Sequence, residues 1–180
     1  MSLWGNSDAD EAKPKWLTAA EKKLTFADAR GWVFKKSDNH QEEVLCAIGE
    51  LATSIGQADI TSIDWVTTAF DKSDGGTLSV KVFFNENVTV SGTPQLTVVN
   101  DQRANHTLSY ASGSTTNELV FELAIGANNA ATSAGDELSI GANAISLNGG
   151  TIVDTAGGGN ATITNSGAIG TAAGTITVAA

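Results

Sequence analysis

Apolar and polar positions alternate along much of the chain beyond residue 56, and this period of two predicts β-strands. The clearest stretches are residues 77–83 and 118–123. Side chains two residues apart share one face of a strand, so each stretch has one apolar face suited to a protein core. The residues expected in the core are Leu78, Val80, Val82, Leu119, Phe121 and Leu123.

Short candidate strands recur at regular intervals, and turn-forming residues separate them. The candidate strands cover residues 60–70, 76–84, 95–99, 107–111, 118–125, 137–140, 144–147 and 161–164. The turn signals lie at residues 74–76, 91–94, 112–114 and 148–150. Seven or eight strands with this spacing predict an all-β fold in which two sheets form a sandwich.

The first 55 residues have a different pattern and are predicted to be mostly irregular and partly helical. Thr18 and Glu21 have the spacing of a capping box, which predicts a short helix over residues 19–29, ended by Gly31. Residues 42–51 fit either a helix or a strand with a bulge at Gly49, and the pattern does not separate these alternatives.

These changes of pattern predict three segments. Residues 1–55 form an N-terminal arm, and residues 56–165 form the sandwich. Residues 166–180 form a tail rich in Gly, Ala and Thr, for which three alternatives stay open. It is a frayed end, it carries an extra strand over residues 173–178, or this stretch pairs with the sheet edge of a neighbouring subunit.

Charge is distributed unevenly along the chain, whose net charge is −10. Residues 1–55 hold seven of the ten basic and nine of the twenty acidic residues, and are close to balanced at −2. Residues 56–180 hold three and eleven, giving −8, and no basic residue follows Arg103. Such a surface repels phosphate, so we expect no nucleic-acid partner.

No stretch approaches the roughly 20 apolar residues that span a bilayer, so no membrane partner is expected. The N-terminus has neither the basic start nor the apolar run of a signal peptide. Cys46 is the single cysteine, so no internal disulfide forms, and its apolar neighbours predict a buried, inert thiol. The expected site of synthesis and folding is the cytoplasm.

Motifs for catalysis are missing from the sequence. His40 and His106 have no partner motif, and no nucleophile elbow, phosphate loop or zinc-ligand spacing occurs. We therefore predict no enzymatic activity, no catalytic residues and no cofactor. Calcium is the best small-ligand candidate, because aspartates lie at predicted strand ends, although Asp in a turn also serves its own backbone. These aspartates are Asp71, Asp74, Asp101, Asp136 and Asp154.

Motifs in residues 60–165 resemble the bacterial immunoglobulin-like repeat family of surface adhesins. The first half matches at Phe84, Glu86, Val88, Val90, Gly92, Thr93, Pro94 and Leu96. The second half matches at Leu119, Phe121, Leu147, Asn148, Gly149, Gly150, Ile152, Asp154, Ala156, Gly157 and Asn160. The resemblance implies an immunoglobulin-like β-sandwich. The chain departs from the family by an expanded glycine turn at residues 156–160 and by having one such domain rather than an array.

The arm resembles small virion structural proteins of tailed marine cyanobacterial phages. The matching motifs lie at residues 4–5, 13–17, 31–33 and 43–49. This resemblance implies a virion protein that assembles in the host cytoplasm without a signal peptide. The leading hypothesis is a capsid decoration or cement protein, whose arm docks on the shell while the sandwich projects outward. The alternatives are a host-surface or carbohydrate-binding module on the virion, and a tail or neck structural protein.

Aromatic residues are concentrated in the arm, and tryptophan is enriched at the anchors of protein interfaces. The predicted partners are the major capsid protein or other virion proteins, together with self-association on the particle. The alternative is that these rings pack within the chain itself. The predicted partner-binding residues are Trp4, Trp16, Trp32 and Phe34, whereas Trp65 is expected in the core.

Overall fold

A computed structural model describes residues 13–28, 30–37, 41–47 and 57–180. Strands dominate these residues, so the all-β prediction is confirmed. The elements in chain order are α1 (Ala19–Lys23), β1 (Thr25–Asp28), β2 (Gly31–Phe34), β3 (Glu43–Ala47), β4 (Ile60–Trp65), β5 (Phe70–Asp71), β6 (Gly76–Ser91), β7 (Gln95–Asn100), β8 (His106–Ser112), β9 (Thr116–Ile125), β10 (Glu137–Ser146), β11 (Thr151–Asp154), α2 (Gly167–Ala172) and β12 (Ile176–Ala179).

Hydrogen-bonded pairs connect the strands in the order β3-β2-β1-β6-β9-β8-β7-β10-β12-β5. β4 and β11 lie off this path, and both pair with β6. The long strand β6 is therefore the hub of the fold. Its first half pairs with β4 and β9, and the pairing with β9 shifts register between Phe83 and Val88. The last four residues of β6 pair with β11.

Buried side chains from every strand between β4 and β12 meet in one hydrophobic cluster. All nine strands from β4 to β12 therefore contribute to a single core. The core prediction is confirmed for Leu78, Val80, Val82, Leu119 and Phe121, each of which is fully buried, while Leu123 is half-buried against the same cluster. Trp65 is also half-buried there, and its indole Nε1 donates to the carbonyl oxygen of Gly174.

The arm is more regular than the sequence pattern predicts. The capping box is confirmed, because the hydroxyl of Thr18 accepts from the backbone N–H of Glu21, and the Glu21 carboxylate accepts from the N–H of Thr18. The helix α1 nevertheless ends at Lys23, so the helix predicted over residues 19–29 is wrong beyond that point. β1 instead pairs antiparallel with β2 and parallel with β6.

The description of the arm as mostly irregular is wrong for its described residues, because β1, β2 and β3 extend the main sheet. In residues 42–51, the strand alternative is confirmed over Glu43–Ala47, and residues 48–51 lie outside the described ranges. The described part of the arm thus orders against its own sheet. It needs no outside surface for this.

The C-terminal segment also joins the core. β12 pairs antiparallel with β10 and parallel with β5, so the extra-strand alternative applies over Ile176–Ala179. The helix α2 packs against β10. Within residues 161–164, predicted as a strand, the described contact is a single bridge between Asp59 and Thr162. No helix of the described ranges is long and apolar enough to cross a membrane.

Candidate partner-binding surface

Strand pairing and an ion pair fix the arm to the core. Ala27 of β1 pairs with Glu86 of β6, and the two strands run parallel. The ammonium group of Lys23 lies 2.7 Å from a carboxylate oxygen of Asp64 on β4. Within the arm, the backbone N–H of Lys35 donates to the carbonyl of Leu24, which joins the hairpin of β1 and β2 to the end of α1. The arm therefore presents its outer side chains from a fixed position.

Trp16 is the most exposed large apolar side chain of the described residues, at 70% exposure. It sits in a turn before α1 that the N–H of Leu17 closes by donating to the carbonyl of Pro14. Lys13 anchors the start of this turn, since its buried side chain donates from Nζ to the carbonyl of Lys22 at 2.5 Å. The indole of Trp16 is thus held outward by a structured turn.

Trp32 has the opposite environment. It is 1% exposed and packs with Ala27 and Cys46, so its ring offers no surface to a partner. Its Nε1 has no hydrogen-bond partner within the described chain. Phe34 is half-buried and lies two residues along the same strand, on the same face. Trp4 lies outside the described residues.

The three predicted anchors that lie in the described residues therefore do not form one patch. Trp32 and Phe34 share a face of β2 and stabilise the arm, whereas Trp16 stands apart in the turn before α1. The enrichment of aromatic residues in the arm was the signal that suggested all four. That signal does not distinguish a ring that packs inward from one that faces solvent.

β3 forms one end of the strand path and, among the described strands, pairs only with β2. Its side chains are exposed or half-buried, and Val44 is 39% exposed. The strand contains neither proline nor lysine, which commonly block the edges of sheets. Among the described strands its outer edge is unpaired, which makes it a candidate for the addition of a strand from another chain. Composition did not reveal this edge, since it depends on the order of the strands.

Basic residues outnumber acidic ones in the described part of the arm, which holds all seven arm Lys and Arg residues but only Glu21, Asp28, Glu42 and Glu43 as acids. Arg30 is bound by Asp28 and Glu42, and these hydrogen bonds raise the pKa of its guanidinium above the ordinary value. Residues 1–55 as a whole carry a net charge of −2, against −8 for residues 56–180. The arm therefore repels an acidic partner surface less than the rest of the chain does.

The aspartates considered for calcium serve their own turns. The carboxylate of Asp71 accepts from Ser73, that of Asp101 from the N–H of Glu137, and that of Asp154 from the N–H groups of Ala156 and Gly157. Asp136 is paired with Arg103, and Asp74 is exposed. Across residues 13–28, 30–37, 41–47 and 57–180, no three His, Cys, Asp or Glu residues are grouped to hold a metal ion.

The histidines do not form a site with a nucleophile in the described chain: His106 is buried at the start of β8, and His40 lies outside the described residues. Cys46 is half-buried against Trp32, in partial agreement with the predicted buried thiol.

Comparisons of the chain with protein-family models, with curated proteins and with solved structures find no match. The two resemblances therefore stay predictions.

Proposed function

We propose that this protein is a structural component of a phage virion, a capsid decoration or cement protein anchored through its N-terminal arm. It assembles in the host cytoplasm, and its core domain is an immunoglobulin-like β-sandwich that projects from the shell. The outward indole of Trp16 is the observation that carries this proposal. A tryptophan exposed on a structured turn loses little conformational freedom on binding and gains a large apolar contact.

Two further features support the arm as the binding surface. The edge of β3 offers backbone donors and acceptors to a strand of the major capsid protein or of a neighbouring copy. Residues 1–55 hold seven of the ten basic residues at a net charge of −2, so they can meet an acidic partner surface that residues 56–180, at −8, would repel. Among the described residues, Trp16 and β3 take the place of Trp32 and Phe34 as proposed anchors, since Trp32 is buried and Phe34 partly so, whereas Trp4 stays a prediction.

Support for a sandwich comes from the strands that surround one core. Each of β4 to β12 contributes to the same cluster, as expected for sheets that pack face to face. The glycine and serine turns between the strands carry few aromatic side chains, which suits a spacer better than a sugar-binding platform. We therefore rank the structural role above the carbohydrate-binding alternative.

The test is co-sedimentation of the full chain with particles that lack it. Trp16→Ala should lower occupancy at least tenfold, because removal of an interface anchor typically costs about 2 kcal/mol or more. Val66→Ala is the matched control, since Val66 is also an exposed apolar residue at 51% but lies beyond β4 in the core domain. Leu45→Pro tests the β3 edge separately, and far-ultraviolet circular dichroism verifies that each variant is folded.

Unchanged occupancy of both the Trp16 and the Leu45 variants would reject the arm as the anchor. A loss with Val66→Ala alone would assign binding to the core domain. Absence of binding by the unaltered chain to any shell, with retention on host cells or glycans, would favour the host-surface alternative.

A further inference from the structure

A second group of polar residues lies far along the chain from the arm, where two loops meet. The first loop, residues 101–105, joins β7 to β8, and the second, residues 126–136, joins β9 to β10. We call them the clamp loops. The polar side chains buried beneath them are Asn100, His106, Thr132 and Asp136, each at most 5% exposed.

Asp136 is the centre of this group. Its Oδ2 atom accepts from the amide Nδ2 of Asn100 and from the backbone N–H of Ser133, both at 2.9 Å. The Nε of Arg103, on the first clamp loop, lies 3.3 Å from the same oxygen. One carboxylate oxygen therefore ties together both clamp loops and the end of β7.

Asn100 and Arg103 add direct contacts between the loops. The Nδ2 of Asn100 also donates to the carbonyl of Ala131, and the Nη1 of Arg103 donates to that of Ala130, each at 3.3 Å. The Oδ1 of Asn100 accepts from the N–H groups of Gln102 and Arg103, which shapes the first loop. The loops thus close over the buried carboxylate as one connected network.

His106 is the ionisable group of this network that the contacts leave unused. It opens β8 and pairs with Val98 of β7. The residue is 5% exposed, and its Nε2 has no hydrogen-bond partner within the described chain. Burial lowers the pKa of its imidazole, and the charge of Asp136 opposes this shift only in part.

Four other charged side chains belong to the segments around His106. Asp136 is the carboxylate that acts on it, and Arg103 is the cation already paired with that carboxylate. Asp101 and Glu137 lie at the rim and are exposed, and the Asp101 carboxylate accepts from the N–H of Glu137. Asp136 is thus the one buried carboxylate of these segments, and its Oδ2 is already shared by Arg103, Asn100 and Ser133.

We propose that His106 is an acid-sensitive latch, whose protonation opens the clamp loops. An imidazolium cannot stay in its buried position without either water or a carboxylate beside it. The carboxylate it could use is the one that holds the loops closed. Protonation thus pulls Asp136 away from Arg103 or exposes the imidazole, and either movement separates residues 101–105 from 126–136.

The sign and size of the effect follow from proton linkage. The closed state binds the proton more weakly than an open state, in which the histidine has its ordinary pKa of about 6.5. The closed state therefore loses stability relative to the open state as the pH falls below that value. At pH 5 the open fraction rises by at most about 30-fold, the limit reached when the closed state takes up no proton.

Hydrogen–deuterium exchange of the full chain at pH 7.5 and 5.0 tests the latch, with rates corrected for the intrinsic effect of pH. The expected result is a loss of protection in the clamp loops at pH 5.0, by up to about 30-fold, with β6 and β9 unchanged. His106→Gln should remove this pH response, since the glutamine carries no titratable charge. His40→Gln, which alters the other histidine, should retain it.

A pH response that persists in a folded His106→Gln variant would overturn the proposal. Should that variant fail to fold, nuclear magnetic resonance of the two imidazoles in the unaltered chain decides. The latch requires one imidazole to titrate below the ordinary pKa of histidine, with the signals of residues 126–136 shifting over the same pH range. Two imidazoles that both titrate near 6.5, or loop signals that do not move, would reject it.

Discussion

The Nζ atom of Lys23 lies 2.7 Å from Oδ1 of Asp64 and 2.8 Å from Oδ2, so the last residue of α1 is bound to β4. Both side chains are partly exposed, at 40% and 30%. The ion pair is therefore one of several ties between the arm and the core. The pairing of β1 with β6 supplies another.

We expect this ion pair to contribute modestly to the free energy of unfolding. In a double-mutant cycle with Lys23→Ala and Asp64→Ala, the coupling should be roughly 0.2–1 kcal/mol, because solvent screens partly exposed charges. Urea unfolding at 0.1 M and 1 M salt measures it, and the coupling should shrink at high salt. Lys36→Ala, at an exposed position of the same arm, is the control. A coupling energy that does not change with salt would contradict the expectation that solvent screens this ion pair.

The two tryptophans of the arm should respond differently to truncation. Trp32→Ala should lower the free energy of unfolding by about 3–5 kcal/mol, since it empties a buried site. Trp16→Ala should change it by less than about 0.5 kcal/mol, because the ring faces solvent. Chemical denaturation of the full chain measures both. Equal losses in the two variants would show that Trp16 supports the fold and is a poor candidate for an anchor.

Phe121 tests the register of the central strands. It is fully buried and contacts Tyr110 edge-to-face, with ring centroids 6.2 Å apart. Phe121→Ala should cost on the order of 3–5 kcal/mol in unfolding free energy. Val99→Ala, which truncates an exposed apolar residue on β7, should cost much less. A loss below about 1 kcal/mol for Phe121 would mean that β9 is shifted by one residue, which exchanges its two faces.

Local sequence signals explain the elements that were predicted well. The capping box needs only Thr18 and Glu21, so it is readable without knowledge of the fold. The end of α1 cannot be predicted in this way, because residues Thr25–Asp28 form a strand that pairs with β2 and β6 instead of continuing the helix. The partner strand β6 begins about 50 residues later in the chain, and a local pattern contains no information about such a contact.

Buried polar residues are the reason why the sequence pattern did not predict the second half of β6 as a strand. Asn85 and Glu86 are buried next to Phe84, so the alternation of apolar and polar positions fails where the strand changes partners. Asn85 accepts there from the N–H of Asp59. The short strand β11 was missed as well, because it is recognisable mainly by its pairing with this part of β6. Strands of this kind are defined by their partners rather than by their own pattern.

The candidate binding surface was predictable only as far as the arm. Aromatic content drew attention to residues 1–55, but the order β3-β2-β1-β6 decides which rings are buried and which edge is open. The sequence pattern does not distinguish Trp32 from Trp16, although Trp32 is buried in the fold and Trp16 is exposed. The difference in their exposure arises from tertiary contacts.

Two glycines of α2 should respond in opposite directions to alanine. A Cβ atom on Gly170 would lie 2.2 Å from the carbonyl oxygen of Ile140, so Gly170→Ala must push α2 away from β10 and destabilise the protein by more than about 1 kcal/mol. A Cβ atom on Gly167 meets no atom within 4 Å, and alanine there should be neutral or stabilise by up to about 1 kcal/mol. Thermal unfolding of both variants measures the contrast. Similar midpoints would show that α2 is not seated on β10.

Asp101 should make the stability of the fold depend on pH in the acid range. The N–H of Glu137 and the side chain of Gln102 donate to its carboxylate and lower its pKa. A carboxylate with a lowered pKa stabilises the fold above its unfolded value of about 3.9, and this contribution is lost as the pH falls through the folded value. Asp101→Ala should therefore lower Tm more at pH 7 than at pH 2. Asp74→Ala, at an exposed turn position, should show no such difference.

The position of β12 has a consequence for the order of folding events. This strand lies between β10 and β5, and pairs Val178 with Phe70 and Leu138 with Ile176. β5 is made early in synthesis, yet its strand partner is made about 100 residues later. During synthesis the apolar face around Phe70 therefore stays exposed until β12 is made, while most of the core can already assemble. We expect a late, slow closing step, in which β12 completes a strand pairing with residues made about 100 positions earlier.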